Sequence, residues 1–311
     1  MGWLNYFLGS GKSASEIEEE TYPAVIGSDK QHFSFVYTHK HWLANSDVSH
    51  HITGDIDIGI QYERAGTQKW SILMHNVQFD WELNCLPEIY LFFNCVKRIE
   101  IYVDQQGQLL DTLYPISQSV FLKEKQKEIS KHVKDEKQAV NLKHFFRANL
   151  SNQQFLQKII PHNPIIKTLI NAMLTANLHN SKPGLDQIAS PYLIPGYFGN
   201  EAILPIKACW LYKPAKDNGA ALTWLRLGGL DEVQYERQNL SPWLSTLNDN
   251  FDIGSKLKVD FAEQYRFKSN IPLNVSQLVY ADHYLETIIA DGWYKEEQVI
   301  IQEVSQEVVN G

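Results

Sequence analysis

His39 and His41 flank Lys40, and the pair His50-His51 follows, with Asp55 and Asp57 a few residues on. Imidazole and carboxylate are ligand types that zinc takes, at about 2 Å and in a roughly tetrahedral set. Residues two apart on a strand share a face, so His39 and His41 would point the same way. A hairpin after them would bring His50 or His51 opposite. His39, His41 and His51 are therefore the candidate metal ligands, zinc the one cofactor considered, and metal-dependent hydrolysis the chemistry they would support. Two features weigh against that reading. Adjacent His50 and His51 project to opposite faces of any strand, and Asp55 and Asp57 lie on the polar parity of their own strand. Histidines on an exposed edge or loop account for the same residues without a metal.

Other chemistry-bearing groups are sparser. In Asp282-His283-Tyr-Leu-Glu286, His283 and Glu286 stand three apart, which on a helix puts both on one side. With no second copy of the pair, a solvated helix face with Leu285, Ile288 and Ile289 inward is expected. Gly9-Ser-Gly-Lys-Ser13 has the tail of a phosphate-binding loop, but Tyr6 stands where that loop needs its first glycine. A Gly-Ser hinge is the simpler reading. Cys209 beside Trp210 reads as a buried structural thiol. No Gly-x-Ser-x-Gly elbow, dinucleotide glycine fingerprint or His-Glu-x-x-His helix occurs.

The elements that must position these groups are mostly strands. Ile52, Ile56, Ile58, Ile60 and Tyr62 fall on one parity, and Asp55, Asp57, Gln61 and Glu63 on the other. Such alternation makes one face core and the other water, the mark of an antiparallel sheet rather than a doubly covered parallel one. Phe33, Phe35 and Tyr37 alternate likewise. Trp70, Ile72 and Met74 continue the pattern, but Val77, Phe79 and Trp81 carry it on the opposite parity. A β-bulge between Met74 and Val77 would reconcile the two halves. Further strands are expected over 99–109, 203–213, 220–228, 256–267 and 293–304. A helix is expected over 275–290, closed by Gly292.

The centre changes character. Leu122, Ile129, Val133 and Val140 make a sparse seam on a helix otherwise rich in Lys and Glu, most simply a salt-laced exposed face. Ser151 and Gln154 fit a capping box for a second helix. Asn163 caps a third with Pro164 at its first position, and Ile165, Ile166, Leu169, Ile170, Met173 and Leu174 form its apolar stripe. Gln-Tyr-Glu-Arg recurs at 61–64 and 234–237, and Asp-Ile-Gly at 57–59 and 252–254. The two spacings disagree, so a duplication is not established.

These elements imply an α+β fold: a largely antiparallel β-sheet body, sandwich-like or in two sheets, with a central helical section packed on one side. The expected parts are an N-terminal arm and hinge over 1–30, a first β-rich part over 31–116, the helical section over 117–184, and a second β-rich part over 185–311. The 311 residues carry a net charge of −8, which disfavours nucleic acid and anionic lipid as partners. No apolar run reaches the 18 residues of a membrane span. Three cysteines and the lack of a leader-like start point to the cytoplasm. With eight Trp and a short aromatic arm, the leading expectation is a non-enzymatic binding or assembly protein working through protein partners or self-association. Trp3, Tyr6 and Phe7 are its candidate contacts. The metal-dependent hydrolase is the alternative.

Overall fold

The structure, a computed structural model, describes residues 29–43, 46–62, 67–80, 98–103, 109–113, 136–149, 163–181, 187–189, 191–195, 203–213, 222–238, 257–270, 275–289 and 293–304. The first five strands among the described residues are β1 (Asp29–Leu43), β2 (Ser46–Tyr62), β3 (Gln68–Phe79), β4 (Arg98–Val103) and β5 (Leu109–Leu113). Two short ones follow the helical section, β6 (Gln187–Ala189) and β7 (Tyr192–Pro195). The last five are β8 (Ile203–Lys213), β9 (Leu222–Leu230), β10 (Leu257–Asn270), β11 (Val275–Ile289) and β12 (Trp293–Glu303).

All twelve join one sheet in the order β5-β4-β3-β2-β1-β12-β11-β10-β9-β8-β6, with β7 beside β6 on the outer side of β8. Every pairing is antiparallel, as the alternation in β2 implies. Where a sandwich or two sheets was expected, the described strands form a single sheet. The reason is the β1–β12 pairing, which sets Phe35 opposite Ile301 and closes the seam between the two meanders. Read across the sheet, β5 to β1 and then β12 to β8 follow the same descending chain order, two meanders laid side by side. The repeated tetrapeptide takes two different local structures: Gln61 and Tyr62 end a strand, whereas Gln234, Tyr235 and Glu236 lie in a short helix, Glu232–Glu236.

One face of this sheet is core. Phe33, Phe35 and Tyr37 on β1, Ile52, Ile56 and Ile58 on β2, and Trp70, Ile72 and Met74 on β3 are all buried on it. Gly54 sits in the same row opposite Phe35, and a Cβ there would lie 2.7 Å from the Phe35 ring. Glycine is what lets the ring lie flat on the strand. The phase slip in β3 is a bulge at the expected place: Asp55 pairs with His75 but Thr53 with Gln78, and Asn76 takes a φ of 52°. Beyond it Val77 and Phe79 return to the core. A second slip lies in β11, where Arg266 pairs with Tyr280 and Phe267 with Leu278, leaving Val279 over.

Residues 275–289, expected as a helix, are β11. Their buried positions alternate as Ala281, His283, Leu285, Thr287 and Ile289. Two of those five are polar, so the apolar period of two is broken in the sequence, and the spacing of Leu285, Ile288 and Ile289 imitates a helix face.

Among the described residues three helices accompany the sheet: α1 (Glu136–Asn149), α2 (Pro164–Ser181) and α3, the short helix above. Leu122, Ile129 and Val133 of the expected Lys- and Glu-rich helix, and the helix expected from Ser151, lie outside the described residues. In α1 Ala139 is buried, while Val140, expected in the seam, is half exposed. α2 starts as its sequence requires. Asn163 Oδ1 accepts from the backbone N–H groups of Ile165 and Ile166 at 3.0 and 3.1 Å, and Pro164 occupies the first turn. Its buried Ile165, Ile166, Leu169, Ala172 and Met173 join the sheet's main core, and the helix lies on β11 with β10 and β12 beside it. Asp231 caps α3, its Oδ1 accepting from the Gln234 N–H at 3.1 Å.

Candidate functional site

Residues directly opposite on antiparallel strands share a face, so the register shows what lies side by side on the core face. His50 on β2 is opposite His39 on β1, and His39 is opposite Glu297 on β12. One pair along, His283 on β11 is opposite Glu263 on β10, Glu263 is opposite Arg226 on β9, and Arg226 is opposite Trp210 on β8. The result is a polar stripe crossing six strands of an otherwise apolar face. It runs between two separate apolar clusters. Tyr37, Ile52, Val299, Ala281 and Tyr265 belong to one, and Trp293, Ile289, Leu285 and Phe261 to the other.

Glu263 is the centre of the stripe and has no solvent exposure. Burial would raise its carboxyl, but His283 and Arg226 outweigh that and hold it below the usual carboxylate range. It is an anion. Its Oε2 accepts from Arg226 Nη1 at 3.2 Å, and its Oε1 accepts from His283 Nδ1 at 3.1 Å and from Asn171 Nδ2, on α2, at 3.4 Å. An ionised carboxylate can only accept, so the proton of this bond sits on His283 Nδ1. His283 Nε2 then faces Glu297 Oε1, 3.9 Å away. The Arg226 guanidinium also donates to the Pro191 carbonyl at 3.2 Å, and its centre lies 4.7 Å from the Tyr192 ring and 5.2 Å from the Trp210 ring. Those π-faces and the paired carboxylate make the burial of this cation tolerable.

The other end of the stripe is unlike this. His50 is fully buried, and neither of its ring nitrogens has a hydrogen-bond partner among the described residues. His39 Nδ1 and His41 Nε2 are buried without one too. The His39 ring stacks on His50 at 5.6 Å and lies 6.4 Å from His41. Desolvation pushes all three imidazoles down: His39 well below its ordinary value, with Lys295 adding to the effect, and His50 to about 4. They are neutral at physiological pH. Lys295, opposite His41 in the register, is itself lowered by desolvation, with Glu297 pulling the other way. Tyr37 donates to Glu297 at 3.4 Å.

Lys167 on α2 overlooks the junction of the two ends. Its Nζ lies 4.7 Å over the Tyr192 ring, and desolvation lowers it against the pull of Glu297 and Glu263. Among the described residues the stripe therefore holds the cations Arg226, Lys167 and Lys295 against the carboxylates Glu263 and Glu297.

Of the candidates read from the sequence, His39 and His41 do share the core face, and it is His50 that joins them. His51 lies on the opposite face, its Nδ1 3.5 Å from Thr38 Oγ1. The described group whose ligand atoms all lie within 4.8 Å of one another is a different one, His32, Asp57 and His75. Trp3, Tyr6 and Phe7 lie outside the described residues. His283, read as solvated, is buried against Glu263, and Cys209, read as a buried thiol, is half-buried. Glu263 and Arg226 went unnoticed because each sits singly in a strand-like tract. The one available signal was polar residues on the inward parity of 257–267.

No family model matches the chain, and no curated protein matches it. A solved structure, "Lipid-protein interactions in lipovitellin", matches over 91% of this chain and 26% of its own, at 9% identity and a TM-score of 0.46. The chain thus spans about a quarter of that structure, and a likeness this slight carries no argument. No described helix is long and apolar enough to cross a membrane.

Proposed function

We propose that the protein is a binding protein rather than an enzyme, and that its ligand lies along the polar stripe with its head at His39, His41, His50, Lys295 and Lys167. The observation that carries this reading is the set of four core-face imidazole nitrogens, on His39, His41 and His50, buried without a hydrogen-bond partner among the described residues. A buried polar group left unmade costs about 1–3 kcal/mol, so such groups persist where something completes them. Glu263, by contrast, has both oxygens engaged by Arg226, His283 and Asn171, which suits a fixed support more than a reacting group.

The ligand class follows from the surroundings. Among the described residues three basic side chains stand against two carboxylates, which favours one negative charge, and neutral imidazoles offer it N–H donors. Apolar clusters on both sides of the stripe suit an apolar body. An amphiphilic monocarboxylate meets these requirements. Dodecanoate is expected to raise the melting temperature and quench tryptophan fluorescence, with dodecanol binding at least about 10-fold more weakly because the charged head carries about 1.4 kcal/mol or more. Lys167→Met is expected to erase that preference. Equal affinity for acid and alcohol in the unaltered protein, or no binding of either, would overturn the reading.

A further inference from the structure

On the opposite face of the same strands, a second group of imidazoles meets a carboxylate. His32 on β1 is directly opposite Asp57 on β2, and its Nδ1 lies 2.6 Å from Asp57 Oδ1. His75 on β3 reaches the other oxygen, with Nε2 3.2 Å from Asp57 Oδ2, while the two rings stack at 5.8 Å. His75 Nε2 is shielded from solvent and makes no aligned hydrogen bond, although a carboxylate oxygen stands beside it. The remaining nitrogen, Nδ1, faces Asp55 Oδ2 at 3.9 Å, and Asp55 is steadied by the Asn76 side-chain amide, which donates to that same oxygen at 2.7 Å.

We infer that His32 Nδ1, Asp57 and His75 Nε2 form a zinc-binding site, with Asp55 orienting His75. Three lines support it. Bonds of about 2.0–2.2 Å in a tetrahedral set place donor atoms about 3.3–3.6 Å apart; one ligand atom from each of His32, Asp57 and His75 lies within 4.8 Å of the others, and an ion between them would part the 2.6 and 3.2 Å contacts to that spacing. A carboxylate behind the far nitrogen of a ligating histidine is the arrangement that fixes its tautomer and raises its basicity, and Asp55 stands in that place. The bulge in β3 belongs to the site: Asn76 adopts its positive φ next to His75 and from there holds Asp55. Bulges aim side chains in this way. His32, Asp57 and His75 are each partly exposed, at 30, 46 and 31%. Zinc can enter from solvent, and three protein ligands leave a fourth position open.

The site is independent of the ligand proposed for the core face and fails or stands separately. Calorimetric titration of the chelator-stripped full chain with zinc chloride is expected to give one ion per chain. His32→Gln and His75→Gln, each made alone, are expected to weaken zinc at least about 100-fold, and Asp55→Asn about 10- to 100-fold. Because these side chains are partly exposed, the variants should melt like the parent without zinc, and the parent alone should gain melting temperature when zinc is added. His50→Phe is expected to leave zinc affinity unchanged. Zinc binding that survives both His32→Gln and His75→Gln, that vanishes in His50→Phe, or that is absent from the unaltered chain would overturn the assignment.

Discussion

The two faces of β1, β2 and β3 carry histidines in opposite circumstances. On the core face, His39, His41 and His50 are stacked together with a lysine for a neighbour, and burial drives them neutral. On the outer face, His32 and His75 hold a shared carboxylate in partial contact with water. Burial would raise Asp57, yet the two imidazoles outweigh it and keep the carboxyl below its ordinary value. The same side chain thus serves as a neutral, stacked group on one face and as the neighbour of a shared carboxylate on the other. What differs is only desolvation and the presence of an anion. One residue of register separates the two roles, because neighbouring positions on a strand face opposite ways.

The largest test of this contrast is to remove one member of each ion pair. Arg226→Ala should cost about 3–5 kcal/mol in urea unfolding, since Glu263 is left buried with a weaker partner set. Asp57→Ala should cost no more than about 1 kcal/mol, because its pairs are partly solvated. Equal losses would mean that burial does not separate the two faces.

Acid is the next test. For an imidazole lowered in the folded state, the unfolded chain binds the proton first, so stability is full above about 6.5 and falls as pH drops through the window toward the folded value. For His50 that window runs from 6.5 to about 4, and each such group removes about 1.4 kcal/mol per pH unit within it. His50→Phe should therefore flatten part of the acid limb of a denaturation series, whereas His75→Gln should leave that limb in place. If the two variants respond alike, the core histidines are not the desolvated group described here.

The smallest expected effect falls on the bulge. Asn76→Ala should cost about 1 kcal/mol for a left-handed backbone without its favoured residue, and should loosen Asp55 as well. It should lower zinc affinity while leaving carboxylate binding on the core face untouched. A parallel loss at both sites would show the faces to be coupled.

Much of the frame was legible beforehand, and for stated reasons. The alternation in 52–62 marked a one-sided antiparallel strand, the slip after Met74 marked the bulge, and Asn163-Pro164 marked the start of α2. Each signal is local: a period of two, a break in that period, a cap. The site was poorly legible for the complementary reason. His283 and Thr287 occupy inward positions of β11, and their polarity erased the pattern by which a strand is recognised. The residues that make the stripe unusual are the ones that hid its strand as a helix.

His39 and His41 could be placed on one face from their spacing alone, since that needs only the geometry of a single strand. Whether His50 or His51 would join them required the register of β1 against β2, and the meeting of Glu263, His283 and Arg226 required the pairing of three strands. Asp57 between His32 and His75 required β1, β2 and β3 together. Alternation along one strand is written in the chain itself. Register between strands is set by the packing of whole faces, and only the assembled sheet decides which polar groups meet.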